Sequence, residues 1–175
     1  SSVLLGAYAQ LESSACIERM SIWGEMRSDN IVAGNNASTD ILNITKENIM
    51  QTNSYMSWAC FYNVINRANT VLEFAPLVAE KDPNYRVSEL YANIAEAKAI
   101  RALSYFYLIR AYKDVPYVTI PSTDDTNEFV VPAEKFENIL DSLIIDLEEV
   151  RAYAVNKYTN KKANTARFTR NGIDA

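Results

Sequence analysis

The chain has 175 residues, 49% hydrophobic and 22% charged, which suits one folded domain with a sizeable core. Four glycines and five prolines are too few for an all-β domain built on tight turns, and a net charge of −5 argues against a nucleic-acid partner. There is no histidine, which removes the commonest general base, the commonest metal ligand and every Ser-His or Cys-His pair, so no metal or cofactor is expected.

In chain order, Leu4, Tyr8 and Leu11 lie on one face of a first helix that Ser2 is placed to cap. A second helical stretch is expected over residues 17–27, with Met20 and Trp23 inward; Ile22 and Trp23 leave an extended alternative open. Residues 28–45 differ in kind. They are rich in Asn, Asp, Ser and Thr, turn at Gly34-Asn35-Asn36, and exceed the usual helix–helix connection of about 2 to 8 residues. They read as a long polar loop inserted in the domain.

A strong helix is expected over residues 52–75. Asn53 or Thr52 caps it, Trp58, Tyr62, Ile65, Asn69 and Leu72 step down its core face, and Pro76 stops it. Asn69 on that apolar stripe needs a hydrogen-bond partner, which a neighbouring loop or helix end would supply. The next helix starts near Pro83 or Val87 and runs to about Lys113. Ala95, Ala97, Ala99 and Ala102 leave room for close neighbours, and residues 102–109 carry no charge, so this helix should be wrapped on most sides. Arg101 needs an acidic partner there, for which Asp146 is the candidate. After an extended piece and an acidic loop, Pro132 suits the first position of a last complete helix. Its stripe is Phe136, Leu140, Leu143, Leu147, Val150 and Ala154, with Glu137, Asp141, Glu148 and Arg151 opposite. Residues 156–169 are a polar loop, and 170–175 read as a helix beginning. Cys16 and Cys60 fall on apolar-patterned stretches and read as buried free thiols. The periodicity gives an all-α array of helix–turn–helix units; the tetratricopeptide consensus is not in register.

Several stretches, in order, resemble the SusD/RagB family of outer-membrane glycan-binding lipoproteins. They are Gly24-Glu25 with Ser28-Asp29; Tyr62, Ile65 and Ala68-Asn69; Glu96-Ala97 followed by Arg101-Ala102-Leu103, Tyr105, Tyr107-Leu108 and Arg110; Asp114-Val115-Pro116; Ile144-Ile145-Asp146-Leu147; and Arg167-Phe168-Thr169-Arg170. The resemblance implies a tetratricopeptide-like helical array, an α-α superhelix with long irregular loops. It implies a non-catalytic subunit, lipid-anchored at the bacterial cell surface, that hands oligosaccharides or peptides to a SusC-like TonB-dependent transporter. The membrane would be met only through a lipid anchor outside this chain. On that reading residues 1–175 are a single incomplete helical domain, the N-terminal half of a larger protein.

For a glycan site, the polar contribution would come from Asp29, Asn30, Asn35, Asn36 and Asp40. No Phe, Tyr or Trp falls within residues 28–50. The aromatic platform is therefore left to Tyr55 or to the other half of the family's fold, and starch is not the expected ligand. The alternative function is a helical-repeat scaffold for a peptide or protein. A helical glycoside hydrolase would need two carboxylates about 5 to 9 Å apart across one bond, and no such pair is patterned here.

Overall fold

The computed structural model describes residues 2–28, 31–123, 130–158 and 167–175. The fold is all-α, as the periodicity requires. Helices α1 (Ser2–Leu11) and α2 (Ser14–Glu25) are followed by a short α3 (Thr39–Thr45), a 3₁₀ turn at Ser54–Met56, and the two long helices α4 (Ala59–Lys81) and α5 (Val87–Tyr112). Strands β1 (Val115–Pro116) and β2 (Ala133–Glu134) pair antiparallel, Val115 opposite Glu134. Helix α6 (Phe136–Val150), a 3₁₀ turn at Arg151–Tyr153 and α7 (Arg170–Asp174) complete the chain.

Helices α4 and α5 form an antiparallel hairpin. Phe61 stacks on Tyr107, Tyr62 meets Tyr105, and Asn69 meets Arg101, so positions rise on one helix as they fall on the other. Helix α1 packs on α4 and α6 packs on α5. The small residues of α5 do what their spacing suggests: Ala95, Ala97, Ala99 and Ala102 are all buried under neighbours. The wrapping is incomplete, however. Phe106 is 44% exposed, and with Leu103 it faces an open apolar groove shared with α6 and α7.

Buried polar groups tie the hairpin to the rest. Asn69, 1% exposed, donates from Nδ2 to the Val118 carbonyl (3.0 Å) and accepts from Arg101 Nη1 (2.9 Å). Arg101 also pairs with Asp146 of α6, the partner expected for it. Lys98 joins them, 3.0 Å from Asp146 and 2.7 Å from Glu149. Just over one turn before Arg101 on α5, Glu96 is 2% exposed and fully engaged. Its Oε2 accepts from Tyr8 Oη (2.6 Å) and Arg167 Nε (2.8 Å); its Oε1 accepts from Tyr158 Oη (2.5 Å) and Arg167 Nη2 (2.5 Å). Tyr8 Oη in turn accepts from the Phe168 amide (2.8 Å). One carboxylate thus joins α1, α5 and the segment leading into α7. Burial, and then the Glu96 charge, hold the Tyr8 phenol far above its ordinary pKa.

Several sequence expectations are corrected. Ser2 lies within α1 and does not cap it, and Ser13 caps α2, which starts at Ser14 and is helical through Ile22 and Trp23. The last third of the polar loop is α3. Asn53 caps the 3₁₀ turn and not α4, which begins only at Ala59. Pro76 does not stop α4. The helix runs on to Lys81 with the Leu72 carbonyl lacking its usual i+4 donor, and Phe74, Leu77 and Val78 around the proline are exposed. Pro132 is not helical: residues 133–134 pair with β1, and α6 starts at Phe136, whose amide donates to Asp114 Oδ1 (3.1 Å). Ile139 takes the fully buried place on α6, while Leu140 is 38% exposed beside the exposed Ile144 and Ile145. Two neighbouring residues satisfied the same spacing, and the packing of α6 on α5 buries only one of them.

Replacing Asn69 with Leu strands one Arg101 donor in the core and leaves the Val118 carbonyl with Tyr105 Oη (3.1 Å) as its remaining donor. The expected loss is about 2–3 kcal/mol, read as a lower urea midpoint with an unchanged slope; an unchanged midpoint contradicts this assignment.

Candidate functional site

The region expected to carry the site is built on a second, smaller core. Ser38 caps α3, its Oγ accepting from the Ile41 amide (3.3 Å), and Ile44 is driven into a cluster with Ile22 and Trp23 of α2. That burial docks α3 against the main array. Ahead of α3, Asn35 and Asn36 form an exposed turn closed by the Ala37 amide donating to the Gly34 carbonyl (3.0 Å). Asp29 and Asn30 lie outside the described residues. Between the end of α2 and α3 opens a cleft of about 500 Å³ with Arg27, Ser28 and Glu47 on its wall. Glu47 has a φ of 57°, a left-handed conformation rare for a residue with a side chain.

Asp40 stitches α3 to the 3₁₀ turn. Its Oδ2 accepts from the Ser54 amide (3.0 Å) and Ser54 Oγ (2.6 Å), and its backbone carbonyl accepts from Asn53 Nδ2 (2.9 Å). Those bonds hold the exposed Asp40 carboxyl below the usual carboxylate range. Four successive carbonyls after Asn53 are each captured by a side chain. Arg19 Nη2 donates to Ser54 O (3.1 Å), Trp23 Nε1 to Tyr55 O (3.1 Å), Tyr112 Oη to Met56 O (3.0 Å) and Arg19 Nε to Ser57 O (2.7 Å). An irregular segment held at every residue by α2 and α5 is a fixed ledge.

The ledge presents two aromatics. Tyr55 is half-buried against the Ile44 cluster. Trp58, placed on the core stripe from sequence, is 42% exposed. It stands at the entry to α4, where no preceding helical turn covers it. Its indole is braced edge-on by Tyr62 (5.7 Å, 77°) and Tyr112 (5.5 Å, 67°). The structure therefore brings Asp40, Tyr55 and Trp58 to one ledge and leaves the Asn35-Asn36 turn outside its hydrogen bonds. Trp58 and Arg19 were missed as site-forming residues. Trp58's spacing fits a core stripe, and Arg19 acts on carbonyls 35 and 38 residues away, which no local pattern signals. Chemically the ledge offers a held aromatic face beside amides, hydroxyls and a carboxylate, the makings of a polyol-binding surface. No cluster able to hold a metal ion occurs among the described residues.

A second cleft, of about 740 Å³, lies between α4, α5 and the segment before α7, with Phe74, Val78, Tyr85 and Asn93 on its walls. Its floor includes Glu96, whose oxygens are already taken by Arg167 and two phenols.

Comparison with known proteins gives a consistent result. The SusD-like family model described as starch-binding and associating with the outer membrane matches residues 1–135. A SusD-like protein of Formosa agariphila is 30% identical over 148 residues, covering 83% of this chain and 28% of the relative. A SusD superfamily protein from Bacteroides thetaiotaomicron superimposes with a TM-score of 0.84 at 23% identity, over 98% of this chain and 40% of that one. A laminarin-binding SusD-like protein superimposes with a TM-score of 0.74 at 25% identity, over 97% and 38%. The chain thus spans well under half the length of these relatives.

The Asp40–Ser54 tether has a definite pH signature. A depressed carboxyl pKa stabilises the tether above the ordinary Asp value of about 3.9 and is lost as pH falls through the lower folded value. The Ser54 amide shift, followed by NMR, should titrate with a midpoint below that ordinary value and go flat in Asp40→Asn. A midpoint at or above the ordinary value contradicts the tether.

Proposed function

The chain belongs to the SusD-like family, and from that membership we propose that it is part of a nutrient-binding subunit that captures an oligosaccharide without cleaving it. The captured glycan passes to a SusC-like TonB-dependent transporter at the outer membrane. On this reading the subunit is held at the cell surface by a lipid anchor outside this chain; no described helix is long and apolar enough to cross a membrane.

The observation that carries the reading is Trp58 on its fixed ledge. An indole face left open and pinned by two rings loses little conformational freedom when a flat apolar ligand face stacks on it. A pyranose has such a face, and its rim of hydroxyls needs the donors and acceptors that Asp40, Tyr55 and the Asn35-Asn36 turn supply nearby in sequence. Asp29 and Asn30 remain proposed members of the same polar set. Trp58 now fills the platform role for which Tyr55 was the only candidate within this chain. The laminarin-binding relative makes β-glucan oligosaccharides the first ligands to try, with malto-oligosaccharides as comparison.

The second reading, a scaffold for a peptide or protein, draws on the apolar groove of about 340 Å³ between α5, α6 and α7, where Leu103, Phe106, Leu140 and Ile144 meet. It predicts binding that ignores Trp58.

Calorimetric titration of the full-length protein with β-glucan and malto-oligosaccharides separates the two. Trp58→Ala should weaken glycan binding about 10- to 30-fold, Asn36→Ala should weaken it less, and chromatography should recover the glycan uncut. Undiminished glycan affinity in Trp58→Ala removes the ledge as the site. Absence of binding to every glycan tried removes the function.

A further inference from the structure

The two cysteines of the chain, Cys16 and Cys60, come from different helices and meet in the main core. Both lie in one buried cluster, and each thiol is the first influence on the other's ionisation. Their helices bring them together by construction. Ser13 caps α2 through the Cys16 amide, which places Cys16 in the first turn of α2, and Cys60 is the second residue of α4. Arg19 clamps the approach independently: it is bonded to the Ala15 carbonyl beside Cys16 and to the Ser57 carbonyl just before Cys60.

We propose that Cys16 and Cys60 are a disulfide-forming pair, closed by a protein or low-molecular-weight disulfide that acts as oxidant before the core seals. The pair is buried in the finished fold, so closure belongs to folding, when an exported chain meets such oxidants. Cys16 is the attacking thiol. Cys60 lowers its pKa most in the finished fold, and the Ser13 hydroxyl and the Arg19 charge, both on or beside α2, favour the thiolate without help from α4. The Cys16 thiolate attacks one sulfur of the oxidant and releases the other as a thiol. The Cys60 thiol then loses its proton and displaces the oxidant's remaining sulfur from Cys16. Two protein thiols become one disulfide, and the oxidant's disulfide becomes two thiols. The closed loop of about 45 residues contains the Asn35-Asn36 turn, Asp40, Tyr55 and Trp58, so the bond would fix both ends of the segment that holds them.

With only two cysteines present, the test is direct. The full chain, reduced and denatured, is equilibrated with glutathione redox buffers in native buffer and in denaturant, quenched by alkylation and weighed intact. An intramolecular disulfide lowers the mass by two hydrogens, and peptide mapping joins Cys16 to Cys60. Its formation constant should be about 30- to 1,000-fold higher under native conditions than in denaturant. If refolding is incomplete, protein exported to the periplasm gives the same answer. Reductant should lower its thermal midpoint by about 5 to 15 °C, and the Cys16→Ser, Cys60→Ser double variant should lose that dependence. Equal formation constants, a midpoint indifferent to reductant, or disulfides formed only between chains overturn the proposal. None of these readouts involves a glycan, so failure here and failure of the glycan reading are told apart.

Discussion

The buried carboxylate of Glu96 is the constraint on which the rest of the array depends. A lone carboxylate in a core would be very costly; this one is matched by a bidentate guanidinium and two phenols, so all its strong acceptor directions are used. The partners come from three separate parts of the chain: Tyr8 on α1, Arg167 before α7, and Tyr158 at the end of the segment that follows α6. The group therefore closes the helical array on itself. Removing any one partner leaves charge or lone pairs buried without compensation, a loss of about 3–5 kcal/mol for a buried pair broken on one side. The ion pair supplies positional definition more than net stability. It sets where the chain re-enters the scaffold and hence where α7 starts.

A second constraint of the same kind acts at the end of the hairpin where α4 begins and α5 finishes, with the roles reversed. There the irregular segment after Asn53 supplies acceptors, and the scaffold supplies donors from Arg19, Trp23 and Tyr112. Each carbonyl of a segment without regular structure needs a partner, and here the partners are side chains of helices already fixed by their own packing. The outcome is a loop with the rigidity of a helix end. That rigidity gives Trp58 and Tyr55 defined positions without placing them in the core. Scaffold and proposed binding face are thus joined by packing of α2 and α5, while the Glu96 group lies on the other side of the assembly's connections.

Much of this was legible in the sequence, and the parts that were not share a cause. The long helices and the need of Asn69 and Arg101 for partners follow from residue types on an apolar stripe, down to Asp146 as the acid. Glu96 and Arg167 stood out only as separate family marks; their meeting across 71 positions explains why both are there. Helix ends were read poorly because distant groups decide them. Asp114 caps α6 from across the β-bridge and overrides Pro132, and α4 runs past Pro76 where the residues around it are exposed. Ile139 and Leu140 satisfied one periodicity equally. Trp58 also fitted its stripe, and only the absence of a turn above it leaves the ring open. The ledge was invisible because its donors lie on other helices, with no spacing rule linking them to the carbonyls they hold.

The central claim is that Glu96 ties the last segment to the scaffold and that this tie is separate from the ledge. Hydrogen exchange measured by mass spectrometry on Glu96→Gln tests it most directly. The account predicts faster exchange in α1 and in residues 167–174, with protection of residues 38–60 unchanged. Equal loss of protection across both regions, or none in either, would contradict it.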